Sequence, residues 1–199
     1  MIDLMSVSGL NFDVKLNRYL PKENMRITKF FLLGLLILSL SVSAQTRDPL
    51  QHFFYASFGD LSEELVNARE DGQKGVLLMF EEDDCPFCAR MKKTVLNRVD
   101  VQEYFRANLR PILIDKELTD ELVDFDGTKT NMKDFSEKKY RVRATPVFLV
   151  FDLDGNLMQR GRYTGAVTSV EEFMQFGRFY TEGINNEMSF TRYKKSLKN

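Results

Sequence analysis

The chain contains two cysteines, and only two residues separate them in the run Cys85-Pro86-Phe87-Cys88. A structural disulfide stabilises a fold mainly by closing a long loop, and a bond between these two cysteines would close almost none. The pair is therefore a candidate for chemistry, in which one thiolate attacks a disulfide and the second thiol resolves the mixed disulfide. A buried inert pair and half of a zinc site are the structural alternatives.

The composition argues against other kinds of site. A tetrahedral zinc site needs four ligands, and the sequence offers no second cysteine pair and a single histidine, His52. We therefore expect no metal, no cofactor and no pair of catalytic histidines. The formal net charge of −1 provides no overall basicity for nucleic-acid binding, so nucleic acid is not an expected partner.

The residues around the cysteines predict a strand, a loop and a helix. Residues 76–80 form a continuous apolar run, which is typical of a buried central strand. An acidic loop, residues 81–84, follows, and residues 89–97 continue as a helix. Cys85 then lies at the helix N-terminus, where unpaired N–H groups and the helix dipole stabilise a thiolate. This position makes Cys85 the candidate nucleophile and Cys88 the candidate resolving thiol.

The rest of the chain alternates predicted helices and strands. Capping residues, among them Asp60 and Ser169, and apolar spacing predict further helices at 60–71, 101–107, 131–140 and 170–180. Apolar runs and turn residues predict strands at 111–115, 146–152 and 157–161, the last two joined by the turn Asp154-Gly155. Residues 116–130 are expected to be polar and irregular, with a turn at Asp126-Gly127. This order predicts an α/β fold with a mixed central β-sheet and helices on both faces.

The N-terminal segment has the composition of a secretory signal peptide. Residues 25–29 are basic, residues 30–40 are mostly apolar, and small residues precede Gln45. The apolar run is shorter than the roughly 20 residues that span a bilayer, so we expect cleavage after Ala44 and export to the periplasm or beyond. We interpret residues 1–24 as an extension added by a wrongly assigned start, with translation beginning at Met25.

The segment 60–180 resembles the thioredoxin superfamily. The resemblance rests on the strand, loop and helix that carry the cysteine pair, on Thr145-Pro146 opening a strand, and on the Asp154-Gly155 hairpin. It implies a thioredoxin-fold domain over residues 45–182. Residues 183–199 are polar and basic in composition and are interpreted as a tail, in which Phe190 and Tyr193 are candidate docking points. The resemblance also implies that Pro146 is a cis-proline beside the cysteines. The substrate-binding residues would be Thr145, Pro146, Pro86 and Phe87.

A closer resemblance is to the exported SoxW-like thioredoxins, through residues 78–91, the acidic-aromatic loop 123–127 and residues 142–146. It implies a periplasmic disulfide reductase that acts by Cys85 attack and Cys88 resolution. The substrates would be disulfide-bearing exported proteins or small thiol adducts, and a membrane electron donor would recharge the enzyme. A thiol oxidase or isomerase for exported proteins and a non-catalytic binding module are the alternatives.

The sequence departs from common thioredoxins next to the cysteines. Those proteins bury an aspartate six residues before the first cysteine, where this chain has Met79. Glu81 is the nearest substitute, either as a proton acceptor for Cys88 or as a solvated loop carboxylate. The acidic run 81–84 opposes a thiolate at Cys85, which favours a reductase, whereas the Pro86-Phe87 dipeptide favours an oxidant. The sequence leaves the redox direction open.

Overall fold

The computed structural model of the protein describes residues 45–198. The predicted signal peptide, residues 25–44, and the predicted extension, residues 1–24, lie outside the described residues. In the described part of the chain, no helix is both long enough and apolar enough to cross a membrane.

The strands form one four-stranded sheet and one small hairpin. They are β1 (Val76–Glu81), β2 (Arg110–Asp115), β3 (Glu121–Val123), β4 (Lys129–Asn131), β5 (Val147–Phe151) and β6 (Leu157–Thr164). The larger sheet has the order β2-β1-β5-β6. Strand β1 is central, parallel to β2 and antiparallel to β5, and β6 is antiparallel to β5. The predicted mixed sheet is confirmed.

Helices precede, separate and follow these strands. They are α1 (Pro49–His52), α2 (Leu61–Glu70), α3 (Pro86–Met91), α4 (Val99–Asn108), α5 (Met132–Asp134), α6 (Val170–Thr181) and α7 (Phe190–Ser196). Helices α3 and α5 continue as π-helical turns, Lys92–Leu96 and Phe135–Lys139. The helices predicted from the sequence are confirmed, although the spacing did not reveal that two of them end in π-helical turns.

Side-chain caps fix where two of the longer helices begin. The Asp60 carboxylate accepts a hydrogen bond from the Glu63 N–H at 3.0 Å, and the Ser169 hydroxyl accepts one from the Glu172 N–H at 3.1 Å. Each bond satisfies an N–H group that the helix itself leaves unpaired. Both caps were predicted from the sequence and are confirmed.

The central sheet is buried on both faces, as its continuous apolar strands predict. On one face, Leu77 and Met79 pack with both cysteines and with apolar residues of α4 and α6. On the other face, Leu78 and Phe80 pack with α2 and with residues of the π-helical turn after α5. Helices therefore cover both faces, and the cysteine pair belongs to the α4 and α6 side.

The segment 116–130, predicted as irregular, contains the hairpin of β3 and β4. Its strands are three residues long and pair with Leu122 opposite Thr130. Only Leu122 is fully buried among their residues, so the sequence carries no alternating pattern that would have revealed them. The predicted turn at Asp126-Gly127 is confirmed, with Gly127 at a φ of +82°.

The segment predicted as a polar tail, residues 183–199, contains helix α7. The rings of Phe190 and Tyr193 lie 5.4 and 5.9 Å from the ring of Phe179 on α6. Tyr193 is only 8% exposed. Both aromatic residues are therefore docking points, as the sequence suggested, and α7 is packed on the apolar core that also contains the cysteines.

Candidate active site

The cysteine pair lies where β1 has ended and α3 begins. Cys85 is the N-cap of α3, with extended backbone, and Pro86 occupies the first turn. The Cys88 N–H donates to Cys85 Sγ at 3.0 Å, so the sulfur takes the place of the usual capping oxygen. The two cysteines are joined by a disulfide, and the structure therefore describes the oxidised form.

The two sulfur-bearing residues differ in exposure. Cys85 is 6% exposed and Cys88 is 1% exposed. A disulfide-bearing substrate must reach the attacking sulfur, whereas the resolving thiol needs to reach only its neighbour. The order of exposure is the one required by the roles assigned to Cys85 as nucleophile and Cys88 as resolving thiol.

The Thr145–Pro146 peptide bond is cis, as the family resemblance implied. Val147, the next residue, pairs with Phe80 near the end of β1. The cis-proline loop therefore lies at the same edge of the sheet as the start of α3. On its other side, the Pro146 carbonyl accepts a hydrogen bond from the Gly165 N–H at 2.9 Å.

Pro86 and Phe87 form the exposed part of this edge. Pro86 is exposed, and Phe87 is 59% exposed although it is a large apolar residue. An aromatic ring left in solvent between two buried cysteines offers an apolar contact to a docking chain. All four residues predicted to bind substrate are thus at or next to the edge that carries the disulfide.

Two of the four acidic side chains before Cys85 are paired with lysines. Glu81 Oε2 lies 2.7 Å from Lys92 Nζ, and Glu82 Oε2 lies 2.7 Å from Lys116 Nζ. Two hydrogen bonds hold the pKa of the Glu82 carboxyl below its usual range, and the one from Lys116 has a larger effect than the one from the Thr145 hydroxyl. The opposition to a Cys85 thiolate that the sequence suggested is therefore smaller than four free carboxylates would give.

Glu81 is the last residue of β1, and its side chain is 15% exposed, so it is not a solvated loop carboxylate. Strand alternation places it on the same face as Leu77 and Met79, which is the face of the cysteine pair. Its partner Lys92 lies one helical turn beyond Cys88. The chain thus has a carboxylate on the cysteine side of β1, although Met79 occupies the position at which common thioredoxins have a buried aspartate.

The surroundings of Cys88 explain why a nearby proton acceptor matters. Cys88 packs in an apolar cluster with Met79 and Met91, all of them almost completely buried. Such surroundings disfavour a thiolate, so a thiol there needs a base to become a nucleophile. Within residues 45–198, no group of three or more His, Cys, Asp or Glu side chains is placed to hold a metal ion.

Three features define a thioredoxin-fold domain with a redox-type cysteine pair. They are the mixed sheet covered on both faces, the cis-proline loop, and the run Cys85-Pro86-Phe87-Cys88 at the start of a helix. The chain belongs to the thioredoxin-like domain family, whose sequence profile matches residues 61–181. No curated protein matches the sequence.

Several solved structures are similar to this chain. A thioredoxin-fold protein from Helicobacter pylori is 20% identical with a TM-score of 0.53, over 64% of this chain and 81% of that one. A thioredoxin from Thermus thermophilus is 22% identical with a TM-score of 0.49, over 65% and 87%. A putative disulphide-isomerase from Bacteroides thetaiotaomicron is 24% identical with a TM-score of 0.46, over 63% and 93%. At 20% identity, the likeness to the Helicobacter pylori protein shows the fold alone.

The sequence did not identify Lys92 and Lys116 as residues of this site, and it gave Glu82 no role beyond its place in the acidic run 81–84. Lys92 follows Cys88 by four residues, so helical spacing could have placed it one turn from the pair. Lys116 directly follows the strand parallel to β1, and the ends of parallel strands meet at one edge of a sheet. Both signals were present, but neither shows which carboxylate a lysine contacts.

Proposed function

We propose that the protein is an exported thiol–disulfide oxidoreductase that reduces protein or small-molecule disulfides. The observation that carries the proposal is the arrangement of the cysteine pair. Cys85 caps a helix and is the more exposed of two cysteines at a sheet edge that also holds the cis-proline loop. Attack by one thiolate and resolution by a second is the chemistry that this arrangement supports.

The reaction starts from the reduced pair. The Cys85 thiolate attacks one sulfur of the substrate disulfide, which forms a mixed disulfide and releases the other substrate sulfur as a thiolate that takes up a proton. Cys88 then loses its proton and attacks Cys85 Sγ. The Cys85–Cys88 disulfide forms and the second substrate thiol leaves. Two electrons have passed from the enzyme to the substrate, and the enzyme is left oxidised, as in the structure.

Glu81 is our candidate for the group that accepts the Cys88 proton. It lies on the cysteine face of β1 and is largely buried, and Lys92 holds its carboxylate in place. A carboxylate on the same face of the strand as a thiol that must ionise is the kind of group that general base catalysis uses.

Turnover requires a supply of electrons from a dithiol donor. Export would place the protein in a compartment that is kept oxidising, so we propose that a membrane thiol donor reduces the Cys85–Cys88 disulfide by the reverse sequence of exchanges. The proposed export rests on the signal-like segment 25–44, and the proposed substrates are disulfide-bearing exported proteins or small thiol adducts.

The reverse direction is the second candidate, and one observation favours it. Lys92 and Lys116 neutralise two carboxylates near the helix N-terminus. A better stabilised thiolate makes the reduced form more favourable and the disulfide more oxidising. A thiol oxidase or isomerase would then use the same residues to transfer its disulfide to exported proteins.

Reduction of insulin disulfides by the purified chain, with a chemical dithiol as electron source, tests the proposal. The wild-type chain is expected to reduce insulin, and Cys85→Ser to abolish the reaction. Cys88→Ser should attack but fail to resolve, so a mixed disulfide with the substrate accumulates and is seen by mass spectrometry. Equal insulin reduction by wild type and Cys85→Ser would instead favour a non-catalytic binding module.

A further inference from the structure

Three loops meet through one carboxylate at the edge of the sheet that carries the cysteines. Glu82 follows β1, Lys116 follows β2 and Thr145 precedes β5. Glu82 Oε1 accepts a hydrogen bond from Thr145 Oγ1 at 2.7 Å, and Glu82 Oε2 lies 2.7 Å from Lys116 Nζ. Each carboxylate oxygen therefore has a partner on a different loop.

This set of contacts is shielded from solvent. The side chains of Lys116 and Glu82 are 11% and 27% exposed. A lysine this buried is tolerated only when its charge is paired, so Lys116 holds Glu82 in one place. Its own position is fixed as well, because the Lys116 N–H donates to the Glu81 carbonyl at 2.9 Å.

The contact with Thr145 acts on the loop rather than on the cysteines. A hydrogen bond to a charged carboxylate is stronger than one between neutral groups, so the Thr145 hydroxyl is firmly held. In the part of the chain that the structure describes, the backbone N–H and C=O of Thr145 have no hydrogen-bond partner. The side chain is thus anchored while the backbone stays available to an extended chain, as at an unpaired strand edge.

We propose that Glu82 is a positioning residue for substrate binding, which acts through Thr145 to hold the cis-proline loop in the conformation that pairs with an extended, disulfide-bearing chain. Lys116 holds the Glu82 carboxylate in place and balances its charge. This inference rests on the proposed function of the site as a thiol–disulfide exchange centre. It adds the residue that sets the affinity for polypeptide substrates.

The test compares two disulfide substrates with the reduced full chain. One is an extended peptide joined to a second peptide by a single disulfide, and the other is a small aromatic disulfide that has no backbone to pair. Glu82→Ala and Thr145→Val are each expected to raise KM for the peptide by about fivefold, as the loss of one charge-assisted hydrogen bond implies, and to leave kcat within about twofold. Neither variant should change KM for the small disulfide.

Two further variants separate positioning from stability. Glu82→Gln keeps an amide oxygen that can accept from Thr145, so its peptide KM should stay near that of the wild type. Glu64→Gln disrupts an ion pair with Arg110. Arg110 is the first residue of β2 and pairs with Val76, the first residue of β1, so this ion pair lies at the other end of these strands from the cysteines. This variant is expected to lower stability without a change in KM. If Glu82→Ala does not fold, Thr145→Val carries the test.

The double variant Glu82→Ala/Thr145→Val completes a cycle. Its peptide KM should match that of either single variant, because both remove the same interaction. Three results would each overturn the inference. The first is a wild-type peptide KM in Glu82→Ala, and the second is an equal rise in KM for the small disulfide. The third is a double variant whose effect on KM is the product of the two single effects. Failure of the wild-type chain to reduce either substrate would instead refute the proposed function itself.

Discussion

The carboxylate of Glu81 and the ammonium of Lys92 lie 2.7 Å apart on the cysteine side of the central strand. Thioredoxin-like proteins must deprotonate a buried second cysteine, and this chain has Met79 where the resemblance leads one to expect an acid. The Glu81–Lys92 pair supplies a charged group two residues further along the same face of β1. In the proposed mechanism, the proton of Cys88 is therefore accepted by Glu81 at the end of β1, and Lys92, the first residue of the π-helical turn, holds that carboxylate in place.

Glu81→Gln is expected to slow the resolution of the mixed disulfide while leaving the first attack by Cys85 unchanged. The amide cannot accept a proton, so the rate of the second step should fall by at least about tenfold. Single-turnover kinetics with a fluorescent peptide disulfide would separate the two steps. Asp84→Asn, at an exposed acid of the loop that follows β1, is the matched control. Wild-type resolution by Glu81→Gln would exclude Glu81 as the proton acceptor.

The Glu82–Lys116 pair predicts a pH window for part of the stability. The pKa of Glu82 is lowered below its ordinary 4.5, mainly by the hydrogen bond from Lys116 and then by the one from Thr145. Its stabilisation is therefore complete above pH 4.5 and is lost as the pH falls through the lower pKa of the folded state. The Glu82 hydrogen bond raises the pKa of Lys116 above 10.5, so that contribution is complete below pH 10.5 and is lost at higher pH.

Urea denaturation of the wild type and Glu82→Gln across this range would measure the effect. The difference in free energy of unfolding between the two should be constant from about pH 5 to pH 10 and should shrink on either side. A difference that persists undiminished at about pH 2 would contradict the assignment, because Glu82 of the unfolded chain is then protonated and the advantage of a lower folded-state pKa must shrink.

The ion pair between Glu64 and Arg110 predicts where the fold is most sensitive to loss of a charge. The two side chains are 6% and 9% exposed, and Asp71 also pairs with Arg110 at 3.0 Å. Glu64→Ala should lower the free energy of unfolding by about 3 kcal/mol, because a buried guanidinium loses its main partner. Glu121→Ala, in an exposed pair with Lys129, should change it by less than about 0.5 kcal/mol. Equal losses in the two variants would show that burial does not set the effect.

Helix α7 is expected to be part of the folded domain. Tyr193 is 8% exposed and packs beside Phe179, so Tyr193→Ala should cost about 3 kcal/mol of stability through the cavity that it leaves. Leu197, on the same helix, is 50% exposed and provides the matched control. Thermal or urea unfolding of the two alanine variants is the measurement. Similar stability in both would mean that α7 is not docked in solution.

Much of the scaffold follows from local sequence signals. The buried strand β1 is a continuous apolar run, and the caps at Asp60 and Ser169 are short-range patterns that the structure confirms. The position of Cys85 at a helix N-terminus also follows from the residues that surround it. The cis peptide bond before Pro146 was predicted from the family resemblance, because a Thr-Pro pair in a sequence does not by itself indicate a cis bond.

The remaining features depend on contacts between distant residues. The hydrogen bond between Glu82 and Thr145 joins residues 63 positions apart, and no local pattern encodes it. The hairpin of β3 and β4 is too short for a periodic pattern, and α7 owes its docking to two aromatic residues in an otherwise polar segment. The acidic loop could be read as a cluster of free charges because the lysines that pair with it lie outside the loop.

The reduction potential of the Cys85–Cys88 pair, measured by equilibration with glutathione, tests the central claim most directly. A disulfide reductase should lie toward the thioredoxin end of the known range, at about −270 to −200 mV. A value close to about −120 mV, that of a strong oxidant, would contradict the account. It would assign the same residues to the donation of disulfides.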